Sequence, residues 1–172
     1  SFATVQGYDL HGAWESTTNH QSNLFPSASD PTSPRYSQDG VVNEYLKRHA
    51  PRKKIVLGVP FYSRGWTGVG SANNGLYQPA SGPAAGTWEA GVDDYKVAKE
   101  RLSSGFTRYQ DDVAGAAWLF DGTTFWTFDD PPVIAAKAEY ARRNRLGGLM
   151  FWELSGDTPD GELIEAIADG LP

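Results

Sequence analysis

The 172 residues contain no cysteine. That absence excludes a disulfide framework, a cysteine-ligated zinc and a thiol nucleophile. It leaves secretion open, because a domain of this size need not be stapled. An excess of positive charge is also missing. Fifteen Lys and Arg stand against 21 Asp and Glu, for a formal net charge of −6. A nucleic-acid partner, which calls for a basic footprint, and polybasic docking on a membrane surface are both disfavoured. No apolar run approaches the roughly 18 residues of a membrane span. No signal-peptide pattern opens the chain, which starts at Ser1 as a mature or truncated chain would. The glycines match neither a dinucleotide loop nor a P-loop, and there is no G-x-S-x-G elbow. His11, the nearest metal-ligand candidate, lacks a spaced His/Asp/Glu set, so no metal is expected.

What is present fits one domain with a sizeable core, since 40% of the residues are hydrophobic. Gly 19 and Pro 11 indicate many loops. Six Trp and eight Tyr are many for this length. Such aromatics serve either as core or as flat platforms for the apolar faces of sugar rings.

Three segments share one form: an apolar run ending in Tyr, Asp, Arg, Trp or Glu. They are ATVQGYDLHG (3–12), KKIVLGVPFYSRGW (53–66) and LGGLMFWELSGD (146–157). The first reads as a strand candidate from Phe2 to Leu10. Near-continuous apolar strands imply cover on both faces, as in a parallel sheet. A helix is predicted over 38–50, with Gln38 or Asp39 at its start, Pro51 at its end and Val42, Tyr45, Leu46 and His49 on one face. A second follows Asp130, with Pro131 and Pro132 in its first turn and Val133, Ile134, Lys137, Ala138 and Ala141 as its pattern. GELIEAIADGL (161–171) follows the third segment. Between the second and third segments, 66–130 reads as turns, a helix over 91–102 and a hairpin over 114–130 bent at FDG. The polar loop 16–37 is long enough to be functional or disordered. Three β/α units cannot close a barrel, which takes eight strands. The pattern therefore fits either the middle of a larger fold or a small open α/β domain.

Chemistry gathers at the ends of the three segments. Asp9 could be an acid, an orienting carboxylate or a loop acceptor. Tyr62 and Arg64, two apart, fall on one side of a continuing strand. There they could hold the hydroxyls and carbonyls of a neutral polar ligand, or be a core Tyr and an Arg paired with a carboxylate. Trp152 and Glu153 would point to opposite sides of a strand. Trp14 and Trp66 lie in loops suited to stacking.

QGYDLHGAWE with TNHQSNL, then GVPFYSRGW, then the insert, then GGLMFWELSGD occur in an order that resembles family 18 glycoside hydrolases. The likeness is to the C-terminal portion of a bacterial-type chitinase catalytic domain with a small α+β insertion, and it covers nearly all of the chain. It implies an α/β fold comprising strands six to eight of a (β/α)8 TIM barrel with an inserted α+β subdomain. Residues 1–65 would be barrel unit six and the start of unit seven, 66–130 the insertion, and 131–172 the last crossover helix, strand eight and the final helix.

The same resemblance implies roles. Tyr8 would hold the substrate N-acetyl group, and Asp9 would shape the site near the scissile bond. Gln6, where the family has an apolar residue, would face the acetamide. Tyr62 and Arg64 would line the sugar side, Trp152 would floor the distorted sugar, and Glu153 would support hydrogen bonds beside it. Trp14 would stack on the aglycone side, and the TNHQ loop would rim the cleft. The family's Asp-x-x-Asp-x-Asp-x-Glu motif, whose Glu is the general acid, is absent from the sequence. The implied parent is a secreted enzyme that hydrolyses β-1,4 links between N-acetylglucosamine units with retention and without a cofactor. The chain alone is expected to be inactive. Its expected partners are chitin or chitooligosaccharides and the missing N-terminal part of the barrel. The rival readings are a lectin-like chitin-binding protein of the same fold and a structural fragment with no sugar site.

Overall fold

Ile55-Val56-Leu57-Gly58-Val59-Pro60 is a run of β-branched and aliphatic residues with no polar side chain, and it forms the central strand of a small parallel sheet. In the computed structural model, which describes residues 1–171, this strand (β2, Ile55–Pro60) lies between β1 (Ala3–Val5) and β9 (Gly148–Trp152). The register pairs Ala3 with Ile55, and Pro60 with Trp152.

Helix α1 (Gln38–Lys47) follows β1, and α3 (Pro131–Arg143) precedes β9. Helix α1 starts at Gln38, one of the two positions expected, and Ser37 caps it by accepting from the Gly40 N–H. On α1 only part of the anticipated face is covered: Val42 is buried, whereas Tyr45 and His49 are exposed. Helix α3 begins as read, with Asp130 capping the Val133 N–H and prolines in the first turn. Every residue of its pattern is buried, Lys137 included.

The first strand is much shorter than Phe2–Leu10. Gly7 and Asp9 have φ of +65° and +56°, in the left-handed region that a strand cannot use, so the chain leaves the sheet after Val5. Cover on both faces of the parallel sheet is not seen either. Ile55, Leu57 and Val59 are buried on one face, where Val5, Val42 and Tyr140 join the packing. On the other face Thr4 is exposed, and Val56 and Met150 are only half-buried.

At Phe61 the chain passes into a second, antiparallel sheet. Its ordered strands are β4 (Gly82–Pro83), β3 (Tyr62–Thr67), β8 (Thr124–Phe128), β7 (Ala116–Phe120) and β6 (Thr107–Asp111), with β5 (Val92–Asp94) also paired to β3. The hairpin β7–β8 turns at Asp121-Gly122 as expected, with Gly122 at φ +106°. Two short helices complete the chain, α2 (Tyr95–Glu100) and α4 (Glu162–Gly170). Phe61, Phe128, Ile134 and Leu163 knit the two sheets, α3 and α4 into one core. The molecule is thus a mixed α/β fold with two sheets and four α-helices among the described residues, and neither sheet closes on itself.

Buried phenols tie the helices together. The Tyr95 hydroxyl donates to Glu162 on α4 at 3.0 Å, and that of Tyr140 to Asp39 on α1 at 2.8 Å. Burial first, and then the carboxylate acceptor, pushes both phenols up. Burial also pushes Tyr77 up to about 12. A phenol raised in the folded state contributes stability that is complete below the unfolded value of about 10 and is lost as pH climbs through the raised value. The expected result is alkaline unfolding above about pH 10, with phenolate absorbance lagging behind free tyrosine and then rising together with the loss of far-ultraviolet ellipticity. Free-tyrosine titration of these rings with ellipticity intact would contradict it.

Candidate active site

The side chains that follow the carboxyl ends of β1, β2 and β9 converge. A cavity of about 410 Å3 is lined by Gln6, Tyr8 and Asp9 after β1, by Phe61, Tyr62 and Arg64 after β2, and by Trp152 and Glu153 at the end of β9. The left-handed Gly7 and Asp9 turn the chain so that Tyr8 and Asp9 both face this cavity.

Asp9 is the junction. One oxygen of its carboxylate accepts from the Tyr62 hydroxyl at 2.7 Å and from Arg64 Nε at 2.9 Å. Strand alternation places Tyr62 and Arg64 on one side of β3, as the sequence indicates, and both donate to Asp9. Arg64 is further enclosed: its guanidinium carbon lies 5.2 Å from the Trp14 ring centroid and 5.5 Å from that of Tyr62. Glu89 approaches its far side at 3.7 Å. Burial, and then the Asp9 charge, pushes the Tyr62 phenol far up, so it stays a proton donor. Tyr8 is also raised, by burial and then by Asp9, against an opposing hydrogen bond from Gln6. Its ring stands edge-on to Tyr62 at 5.9 Å.

Trp152 is 59% exposed and Trp14 is 60% exposed, so neither indole is core. Trp152 and Glu153 line the same cavity, because the strand ends between them and no longer alternates. The Ser155 hydroxyl donates to Glu153 at 2.6 Å. Trp66 departs from expectation. It is fully buried, packs edge-on against Phe125 and donates its indole N–H to the Glu15 carbonyl, so it is no stacking surface. The TNHQ loop is likewise not a rim: Asn19, His20 and Gln21 are buried, with His20 packed against Tyr77 and Trp118. His11 is buried and pairs with Glu15 at 2.9 Å.

The sequence reading missed the wall contributed by Trp88, Glu89, Val92 and Asp94. Trp88 is 68% exposed, and its indole N–H donates to Asp94 at 2.8 Å, which fixes the ring at the cavity mouth. The available signal was an exposed-type Trp-Glu pair between glycines in GTWEAG.

Aromatic and polar side chains thus converge beyond the carboxyl ends of the parallel strands, where α/β folds build their ligand sites. The profile of Glycosyl hydrolases family 18 matches residues 1–157, and the chain belongs to that family. Among its relatives, Chitinase 63 of Streptomyces plicatus is 40% identical over 177 residues, spanning 97% of this chain and 26% of that protein. The catalytic domain of psychrophilic chitinase B from Arthrobacter TAD20 superposes with a TM-score of 0.90 at 40% identity, covering 98% of this chain and 38% of that one. A family 18 N-acetylglucosaminidase from Paenibacillus barengoltzii gives a TM-score of 0.85 at 35% identity, over 99% of this chain and 48% of that one. The chain spans less than half the length of each of these proteins.

Proposed function

We propose that these residues are the C-terminal portion of a chitinase catalytic domain, in which they hold chitin or chitooligosaccharides for retaining, substrate-assisted hydrolysis. The observation that carries this reading is the convergence of Tyr8, Asp9, Tyr62, Arg64, Trp152 and Glu153 on one cavity. In this proposal β1, β2 and β9 are strands six, seven and eight of a (β/α)8 barrel. Residues 1–65 then belong to unit six and the start of seven, 66–130 to the insertion, and 131–172 to the last crossover helix, strand eight and the final helix. The half-exposed face at Thr4, Val56 and Met150 is the lumen side that the rest of the barrel covers. The parent acts outside the cell.

The chemistry assigns the roles. A general acid from the remainder of the barrel protonates the glycosidic oxygen. The carbonyl oxygen of the substrate acetamide attacks the anomeric carbon, the leaving sugar departs with the proton, and water opens the oxazolinium ion with net retention. Tyr8, kept protonated by its raised phenol, donates to the acetamide and holds it for attack. A phenol raised above its ordinary value is too weak an acid to be the proton source. Asp9, fixed by Tyr62 and Arg64, presents its second oxygen to the site. Trp152 floors the reacting sugar, with Glu153 and Gln6 beside it, and Trp14 stacks on the aglycone side.

The test compares this chain with the full-length protein that carries it, using a tetramer of N-acetylglucosamine. The full-length protein should cleave it and release the β-anomer first, read by proton NMR. The 172-residue chain alone should release nothing. Cleavage by the chain alone at a comparable rate would overturn the assignment of the acid to another segment. Binding without cleavage by the full-length protein would make it a lectin.

A further inference from the structure

Gln21 and Gln38 are both fully buried, yet neither touches the cavity. Gln38, at the start of α1, donates its side-chain amide to the Gly7 carbonyl and to the Gly58 carbonyl, each at 2.9 Å. Gly7 is the left-handed residue immediately before Tyr8. Gly58 lies under the Tyr8 ring: a Cβ there would sit 2.9 Å from Tyr8 Cε1 and 2.3 Å from the Gln6 carbonyl. One amide therefore spans the backbone that carries Tyr8 and the strand on which Tyr8 rests.

Gln21 does the equivalent for Asp9. Its side-chain amide donates to the Tyr62 carbonyl at 2.8 Å, and its backbone carbonyl accepts the Leu10 N–H at 2.9 Å. Leu10 directly follows Asp9, which is held at φ +56°, in the left-handed region that favours glycine. Gln21 thus ties the strained Asp9 turn to the strand that presents Tyr62. The loop that carries Gln21 is in turn held to the start of α1, because the Gln38 backbone N–H donates to the backbone carbonyl of Asn23 at 3.0 Å.

Each amide is half-satisfied. Gln21 Oε1 and Gln38 Oε1 are buried without a protein partner among the described residues. An unpaired buried acceptor costs stability, and an apolar side chain of similar volume would remove that cost while losing the donor. We propose that Gln21 and Gln38 are positioning residues that fix Tyr8 and the Asp9–Tyr62 junction in their reactive geometry. This rests on the reading of the site given above. A displacement of about 1 Å in a substrate-holding group can lower turnover about 100-fold.

The test uses Gln38→Met and Gln21→Met in the full-length protein. Leu163→Ala, a fully buried position in α4 that does not line the cavity, serves as the stability control. Two readouts are taken: kcat and KM on the N-acetylglucosamine tetramer, and the ring signals of Tyr8 and Tyr62 in protein carrying 13C-labelled tyrosine. Gln38→Met should lower kcat about 10–100-fold with KM changed less than about threefold, and should move the Tyr8 signals. Gln21→Met should act likewise and move those of Tyr62. Leu163→Ala should lower Tm while leaving kcat and both rings unchanged. Unmoved ring signals in the two Met variants, or unchanged kcat with a lowered Tm, would overturn the proposal. Moved rings in a protein whose wild type cleaves nothing would uphold the positioning and sink the reading of the reaction.

Discussion

Replacing Lys137 by methionine is expected to destabilise the fold by about 3–5 kcal/mol, the cost of leaving a buried charge without its partner. Lys137 sits on α3 with no solvent exposure, and Asp129 is 1% exposed. The ammonium donates to the Asp129 carboxylate and, at 2.6 Å, to the Ser22 carbonyl. The Ser22 hydroxyl donates to the other Asp129 oxygen at 2.7 Å. Burial pushes the Asp129 carboxyl up and the Lys137 ammonium down, and each charge opposes the shift of the other. Without Lys137, burial and the neighbouring Asp130 charge raise Asp129 against the Ser22 hydrogen bond alone. A carboxyl raised in the folded state withholds stability above its raised value, so the loss should be large at pH 7 and should shrink as pH falls and Asp129 takes up a proton. The double variant Lys137→Met/Asp129→Leu should recover much of it, since a buried pair is often replaceable by apolar side chains. Urea denaturation at pH 7 and pH 5 checks both points. A loss under about 1 kcal/mol for the single variant would show that the pair is reached by water.

The contrast between α3 and α1 explains what could be read in advance. On α3 the cap, the prolines and the buried stripe are local signals, and all of them hold in the structure. The period alone also placed Lys137 on the buried stripe, but its partners Asp129 and Ser22 come from β8's end and the 16–37 loop, the latter 115 residues away. On α1 the period marked Tyr45 and His49 as part of a covered face, yet both are exposed in the described chain. The hairpin β7–β8 was legible from two apolar runs around a glycine turn. The early end of β1 was not, because the left-handed turn at Asp9 is held by partners distant in sequence, Tyr62 on Asp9 and Gln21 on Leu10. The same holds for the site. Tyr8, Asp9 and Trp152 stand at the ends of the parallel strands and Tyr62 and Arg64 open β3 just past β2, so position at segment ends, together with the family resemblance, nominated them. Trp66 looked equivalent, but β3 runs on into the antiparallel sheet and carries it into a pocket of Val69, Leu76 and Phe125. Trp88 belongs to no periodic segment, and only the folding of the insert brings it to the cavity.

The same distinction between exposed and buried indoles sets the effect of Trp152→Ala in the full-length protein. Trp152 is 59% exposed at the end of β9, so truncation leaves no sealed void and should cost well under the ~3–5 kcal/mol typical of a core tryptophan. As the floor of the proposed sugar site, the indole would instead be covered by substrate. Covering roughly 100 Å2 of apolar surface is worth about 2.5 kcal/mol at 25 cal per Å2. That converts to a fall in kcat/KM of roughly 70-fold. If the contact tightens as the sugar distorts towards the transition state, most of the loss falls on kcat. Trp66→Ala is the internal comparison: its ring is fully buried between Phe125 and the 15–16 turn, and its loss should appear mainly in Tm. Kinetics on the N-acetylglucosamine tetramer and thermal unfolding of both variants give the answer. A Trp152→Ala protein that loses stability as Trp66→Ala does, while keeping its kcat/KM, would return Trp152 to the core and leave the cavity without its floor.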